Sequence, residues 1–75
     1  MFLKIDQRVA QFLWDEMVQK NSMTISLTHD EIAKYIGSAR EVVTKVLKYM
    51  VKENTLELKR GTITILDKEK LRNYL

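Results

Sequence analysis

Seventy-five residues carry 13 Lys and Arg against 10 Asp and Glu, a net charge of +3, with no Cys, no Pro and 45% hydrophobic residues. That length holds one small domain whose apolar residues must nearly all go into packing. The missing Cys excludes a disulfide framework or a thiolate zinc site, and the apolar share argues against a disordered tail. No apolar run is long enough to span a bilayer and the first residues lack a signal-peptide pattern, so a soluble cytoplasmic protein is expected. It is basic enough for a nucleic-acid partner without requiring one.

Met1 to Ile5 form a short apolar lead. Asp6 is the expected N-cap of a first helix running to about Lys20. Val9, Leu13 and Met17 are spaced four apart there, and Ala10, Phe12, Trp14 and Val18 widen the stripe. Trp14 has no basic neighbours, so it is expected to pack rather than to stack on bases. Asn21-Ser22 breaks the helix. Met23, Ile25 and Leu27 alternate with Thr24 and Ser26, the two-residue period of a short strand that needs a partner further along.

Thr28-His29-Asp30-Glu31 is a T-x-x-E capping box, and the helix it opens should turn Ile32, Ala33 and Ile36 inward. That helix stops at Gly37, which takes positive φ at no steric cost. Ser38-Ala39-Arg40-Glu41 reads as a second capping box opening a helix over 38–51. Val43, Val46, Leu47 and Met50 recur at i, i+3, i+4 and i+7 on its inner face, and Arg40, Glu41, Thr44, Lys45 and Lys48 fall on the other. Two helices meeting across about three residues with Gly at the turn form a helix-turn-helix. Ala33 is small where the axes cross, and Val43 and Val46 are placed to face the first helix.

Asn54 is expected in the left-handed position that ends the long helix. Leu56 and Leu58, then Ile63 and Ile65, flank Lys59-Arg60-Gly61-Thr62 as a β-hairpin, which after a recognition helix is a wing. Asp67 should cap a last short helix with Leu71 and Leu75 inward and Tyr74 a further candidate. Tyr35 and Tyr49 are expected to be half-buried packing residues. The fold class expected is α+β, mainly α: a winged helix-turn-helix over 1–75, with a three-helix core, a small antiparallel sheet and a short C-terminal helix.

The major groove admits a helix whose first residues reach base edges. Arg40 could donate twice to guanine O6 and N7, or clamp a phosphate. Glu41 could accept from cytosine N4, or serve the cap with Ser38. Thr44 and Lys45 lie one turn on, and Lys48 is placed for phosphate. From Ser38 to Lys52 there are four cations against one carboxylate. Lys59 and Arg60 suit phosphate or the minor groove, or simply keep a hairpin tip soluble. Thr28 and His29 begin a helix whose N-terminus can approach a phosphate.

No Ser-His-Asp or Cys-His set, Gly-rich phosphate loop, acidic cluster or metal-ligand spacing around the single His is present. No catalysis, metal or cofactor is expected. The competing reading is a winged helix used for protein–protein contact, which should present an exposed apolar patch on the second helix of the pair.

The order helix, strand, helix-turn-helix, wing resembles the C-terminal domain of the Crp–Fnr family of bacterial transcription regulators. The matching words are Leu27-Thr28-x-x-Glu31-Ile32-Ala33-x-x-Ile36-Gly37-Ser38-x-Arg40-Glu41, then Val43-Thr44-Lys45-Val46-Leu47-Lys48, with Leu58 to Asp67 similar to the wing and closing segment. The resemblance implies double-stranded DNA as partner. By position it places Arg40, Glu41, Thr44 and Lys45 at base edges; Thr28, His29, Ser38, Lys48, Lys59 and Arg60 are the candidates for the backbone. It also implies that the chain is the DNA-binding domain of a longer protein, without the family's effector-sensing β-roll and dimerisation helix. The longer protein would be a homodimer that meets RNA polymerase. Phe2, Leu3 and Ile5 are candidate remnants of the dimerisation helix, and the isolated domain is expected to be a monomer or weak dimer. Lys45 stands where the family most often has Arg, Ala39 and Val42 where Ser or Thr are common, and Asn54 where Gly is usual. These departures bear on the target sequence more than on DNA binding.

Overall fold

The computed structural model describes residues 4–75. The first helix, α1, spans Lys4–Lys20 and buries Val9, Ala10, Phe12, Leu13 and Met17. It begins ahead of the expected cap, and Asp6 lies inside the first turn, where a carboxylate favourably meets the helix dipole. Ile5 packs partly buried against the core, whereas Phe2 and Leu3 lie outside the described residues. Trp14 is also partly buried there. Val18 is 62% exposed and does not widen the stripe. At about 100° per residue it sits roughly 140° around the helix from Leu13, off the buried face.

Asn21 at φ 49° ends α1, and the Ser22 N–H donates back to the Met17 carbonyl. The strand that follows, β1, covers Thr24–Ile25, less than the Met23–Leu27 alternation suggests. Ser26 and Leu27 leave the ladder to reach the cap of the next helix.

That helix, α2, spans His29–Ile36. Its capping box is complete: the Glu31 N–H donates to Thr28 Oγ1 at 3.2 Å and the Thr28 N–H to Glu31 Oε1 at 2.9 Å. The Thr28 backbone N–H, then its hydroxyl, holds the Glu31 carboxyl below its usual pKa. Gly37 closes α2 at φ 70°, and the Gly37 and Ser38 N–H groups both donate to the Ala33 carbonyl. The bond from Ser38 is the six-to-one link of a Schellman closure. The Arg8 guanidinium donates to the Ile36 carbonyl and ties α1 to the same helix end.

The closure corrects the expected second capping box. The long helix, α3, spans Arg40–Lys52 rather than 38–51, and its N-cap is Ala39, with no side-chain cap bond. Gly37 and Ser38 are consumed by the α2 closure, and one extended residue, Ala39 at φ −76° and ψ 145°, is needed before α3 starts. That backbone suits a capping hydroxyl. Ala39→Ser should stabilise the domain by about 0.5–2 kcal/mol, read as a rise in the urea midpoint. An unchanged midpoint would mean that the first N–H groups of α3 gain nothing from a cap.

α3 buries Val43, Val46, Leu47 and Met50 and packs against α1, α2 and the first wing strand. Asn54 follows it in the left-handed region at φ 61°, as its type suggests. The wing strands β2 (Leu56–Lys59) and β3 (Thr62–Ile65) pair from Leu56↔Ile65 to Lys59↔Thr62, leaving Arg60-Gly61 as the turn, with Gly61 at φ 74°. β3 is central, in the order β1-β3-β2, with β1 antiparallel at Thr24↔Thr64 and Ile25↔Ile63. The last helix, α4, spans Lys68–Arg72, and Asp67 accepts from the Glu69 and Lys70 N–H groups. Leu71 and Tyr74 are buried, and burial pushes the Tyr74 phenol up to about 12. Leu75 is not inward but half-exposed, because α4 has already ended. Tyr35 is 75% exposed rather than half-buried, and its ring meets that of Phe12 at a centroid distance of 4.5 Å.

Candidate nucleic-acid interface

One face of α3 is committed to the core and the other to solvent. At about 100° per residue, Arg40, Thr44, Lys48, Glu41 and Lys45 sweep an arc of roughly 140° opposite the buried Val43, Val46, Leu47 and Met50. All of that polar set are exposed except Thr44, which is half-buried. The face therefore carries three cations, one carboxylate and one hydroxyl.

The helix start, the start of α2 and the wing tip enclose one groove of about 230 Å³. It is lined by Leu27, Thr28, His29, Arg40, Lys59, Arg60, Gly61 and Thr62. Five of the residues singled out in the sequence meet here, drawn from the α2 cap, α2, α3 and the hairpin. Gly61 gives the hairpin its tight turn, and that turn presents Lys59 and Arg60 toward the same groove. Lys59 is also 3.9 Å from Glu57 on its own strand. Both groups are mostly solvated, so that pair contributes little and leaves the Lys available.

Two contacts were not legible beforehand. His29 Nδ1 lies 2.8 Å from Thr44 Oγ1. Arg40 Nε lies 3.7 Å from Asp30 Oδ1, both side chains 63% exposed. Asp30 is thus a further neighbour of the site. A carboxylate in the first turn of a helix is fully accounted for by the dipole, so nothing local marks it. His29 has its pKa lowered, first by burial, then by Arg40; Asp30 partly offsets this, and Lys48 lowers it slightly.

The remaining candidates are spread more widely. Ser38 is half-buried in the turn between the two helices, its N–H spent on Ala33. Glu41, released from the expected cap, lies exposed in the first turn of α3. Lys45 lies toward α1 and lines a shallow hollow with Ile5, Asp6, Val42, Val46 and Tyr49, away from the wing. Among the described residues no group of three or more His, Cys, Asp or Glu is placed to hold a metal, and no helix is long and apolar enough to cross a membrane.

A helix-turn-helix whose second helix exposes a polar face, flanked by an antiparallel hairpin with a cationic tip, defines a winged helix-turn-helix of the DNA-binding class. A family model described as the Crp-like helix-turn-helix domain matches residues 7–74, and the chain belongs to that family. The chain is 33% identical over 70 residues to the cAMP-activated global transcriptional regulator Vfr of Pseudomonas aeruginosa, covering 85% of this chain and 33% of the relative. It is 37% identical over 49 residues to the transcriptional regulator SdrP of Thermus thermophilus, covering 65% and 24%. Among solved structures, a putative Crp/Fnr-family regulator from Eubacterium rectale superposes with a TM-score of 0.92 at 40% identity, over 99% of this chain and 34% of that one. The chain therefore spans a third or less of the length of these curated relatives.

Proposed function

We propose that this chain is the DNA-reading domain of a longer transcription regulator, with α3 in the major groove and the wing on the backbone. Arg40, Glu41, Thr44 and Lys45 read base edges. Thr28, His29, Ser38, Lys48, Lys59 and Arg60 hold phosphates. The observation that carries this reading is the groove in which His29, Arg40, Lys59 and Arg60 converge from three separate segments, continuous with the polar arc of α3. Core packing does not require three cations from α3 and the hairpin to gather beside an imidazole from α2, and a phosphate backbone rewards it. Two copies in a dimer of the longer protein would address half-sites one helical turn apart, roughly 34 Å. Activity in the cytoplasm beside RNA polymerase, without catalysis, belongs to the same proposal.

The test is an amide NMR titration of the 75-residue chain with a short mixed-sequence duplex at low salt. Shifts should concentrate at 38–48 and 59–62 and fade as salt rises. Amides that stay still with duplex in excess would transfer the domain to the protein-contact reading. Lys48→Ala should weaken binding to all sequences alike and reduce the salt slope by about 1, as expected for one lost phosphate contact. A loss confined to one sequence would place Lys48 at a base instead.

A further inference from the structure

His29 opens α2, Thr44 lies on the polar arc of α3, and the two meet at 2.8 Å across 15 residues of chain. The contact joins a group placed for phosphate to a group placed for bases. We propose that His29 is a specificity-determining positioning residue: its ring orients the Thr44 hydroxyl and so decides whether Thr44 offers a base edge an acceptor or a donor. This rests on the DNA-reading role of α3 proposed above.

The chemistry follows from the donor inventory of the two groups. A neutral imidazole carrying its proton on Nε2 accepts the Thr44 O–H at Nδ1. The Thr44 oxygen then presents only lone pairs, which suit the amino groups of adenine N6 or cytosine N4. A protonated ring donates from Nδ1 to the Thr44 oxygen instead. The Thr44 O–H then turns outward as a donor, which suits guanine O6 and N7 or thymine O4. One proton on His29 thus exchanges the base class that Thr44 complements, with no change of backbone.

The charged groups around the ring set where this happens. Asp30 adjoins it on α2, Arg40 and Lys48 face it from α3, and Lys59 and Arg60 share its groove from the wing. Burial first, and then Arg40, hold the ring's pKa below its ordinary value of 6.5, which favours the neutral ring in the free chain. Phosphates brought in by DNA act in the opposite sense and favour the charged ring. The exchange is therefore sought on the acid side of neutrality, in the presence of DNA.

The experiment selects preferred duplexes from a randomised library with the intact 75-residue chain at about pH 8 and about pH 5.5. Thr44→Val identifies the base pair that Thr44 reads, because it loses preference there and nowhere else. At that pair the wild-type preference should shift between pH 8 and pH 5.5 by about three- to tenfold, the ordinary net worth of one hydrogen bond. His29→Ala should leave a preference that no longer moves with pH, and its amide spectrum checks that it folds. The ¹⁵N shifts of the wild-type ring should report the Nε2–H tautomer at pH 8.

A merely structural His29, or one that only touches phosphate, would change affinity for all sequences together and leave the preference ratio unmoved. That outcome, or an Nδ1–H tautomer at pH 8, overturns the proposal while DNA reading stands. Should no sequence be enriched at either pH, the DNA-reading role itself fails.

Discussion

Leu47→Ala is expected to cost about 2–5 kcal/mol of stability, the range for truncating a fully buried Leu in a core that cannot collapse around the cavity. Leu47 is fully buried at the centre of the inner stripe of α3, the helix that packs on α1, α2 and β2 at once. A single core in a chain of this size rarely supplies more than about 3–5 kcal/mol. The variant should therefore be largely unfolded in water, with its urea transition lost or moved to the lowest concentrations. It would lose DNA binding although Leu47 touches no nucleic acid. Saturating duplex should restore part of the folded population, because a ligand that binds only the native state stabilises it by mass action. A urea midpoint within a few tenths molar of the wild type would sink the idea that this stripe alone anchors the recognition face.

Arg40→Ala is expected to do the reverse: to cost about 1–3 kcal/mol in binding to the preferred sequence and to relax choice at one base pair, with stability almost untouched. The ion pair with Asp30 is exposed and worth little, and a cation in the first turn of a helix opposes its dipole, so its loss does not threaten the fold. Binding isotherms on the selected duplex and on variants at each position separate the outcomes. Equal loss on every sequence would make Arg40 a phosphate clamp and remove it from the base-reading set. The comparison with Lys48→Ala is then direct, since both are exposed cations on one arc of α3 and differ in whether the effect depends on sequence.

The elements that were legible in the sequence are those encoded within a few residues. The T-x-x-E box at Thr28–Glu31 closes on itself through two bonds three residues apart, so the structure reproduces it. Gly37 and Gly61, which have no Cβ, and Asn54, whose short polar side chain tolerates that backbone, occupy the left-handed region. The inner stripes of α2 and α3 follow from helical period alone. Local pattern and structure part where a neighbouring segment competes for the same residues. Ser38 and Glu41 have the spacing of a cap, yet the Schellman closure of α2 had first use of Ser38, and the register of α3 moved to Ala39. Leu75 has the spacing of a core residue, but α4 ends before it.

The sequence by itself therefore determined a winged helix-turn-helix, its inner faces and the polar set on α3, since period, caps and turn residues act over one or two helical turns. Only the tertiary structure decided which polar groups touch. His29 meets Thr44, Asp30 meets Arg40, and the wing tip closes a groove with both helices, because the crossing of α2 and α3 and the fold-back of the hairpin bring distant residues together. Side chains 10 to 31 residues apart carry no periodic signal that links them; their hydrogen bonds and charges become partners only after burial of the apolar faces has fixed the angle between the helices.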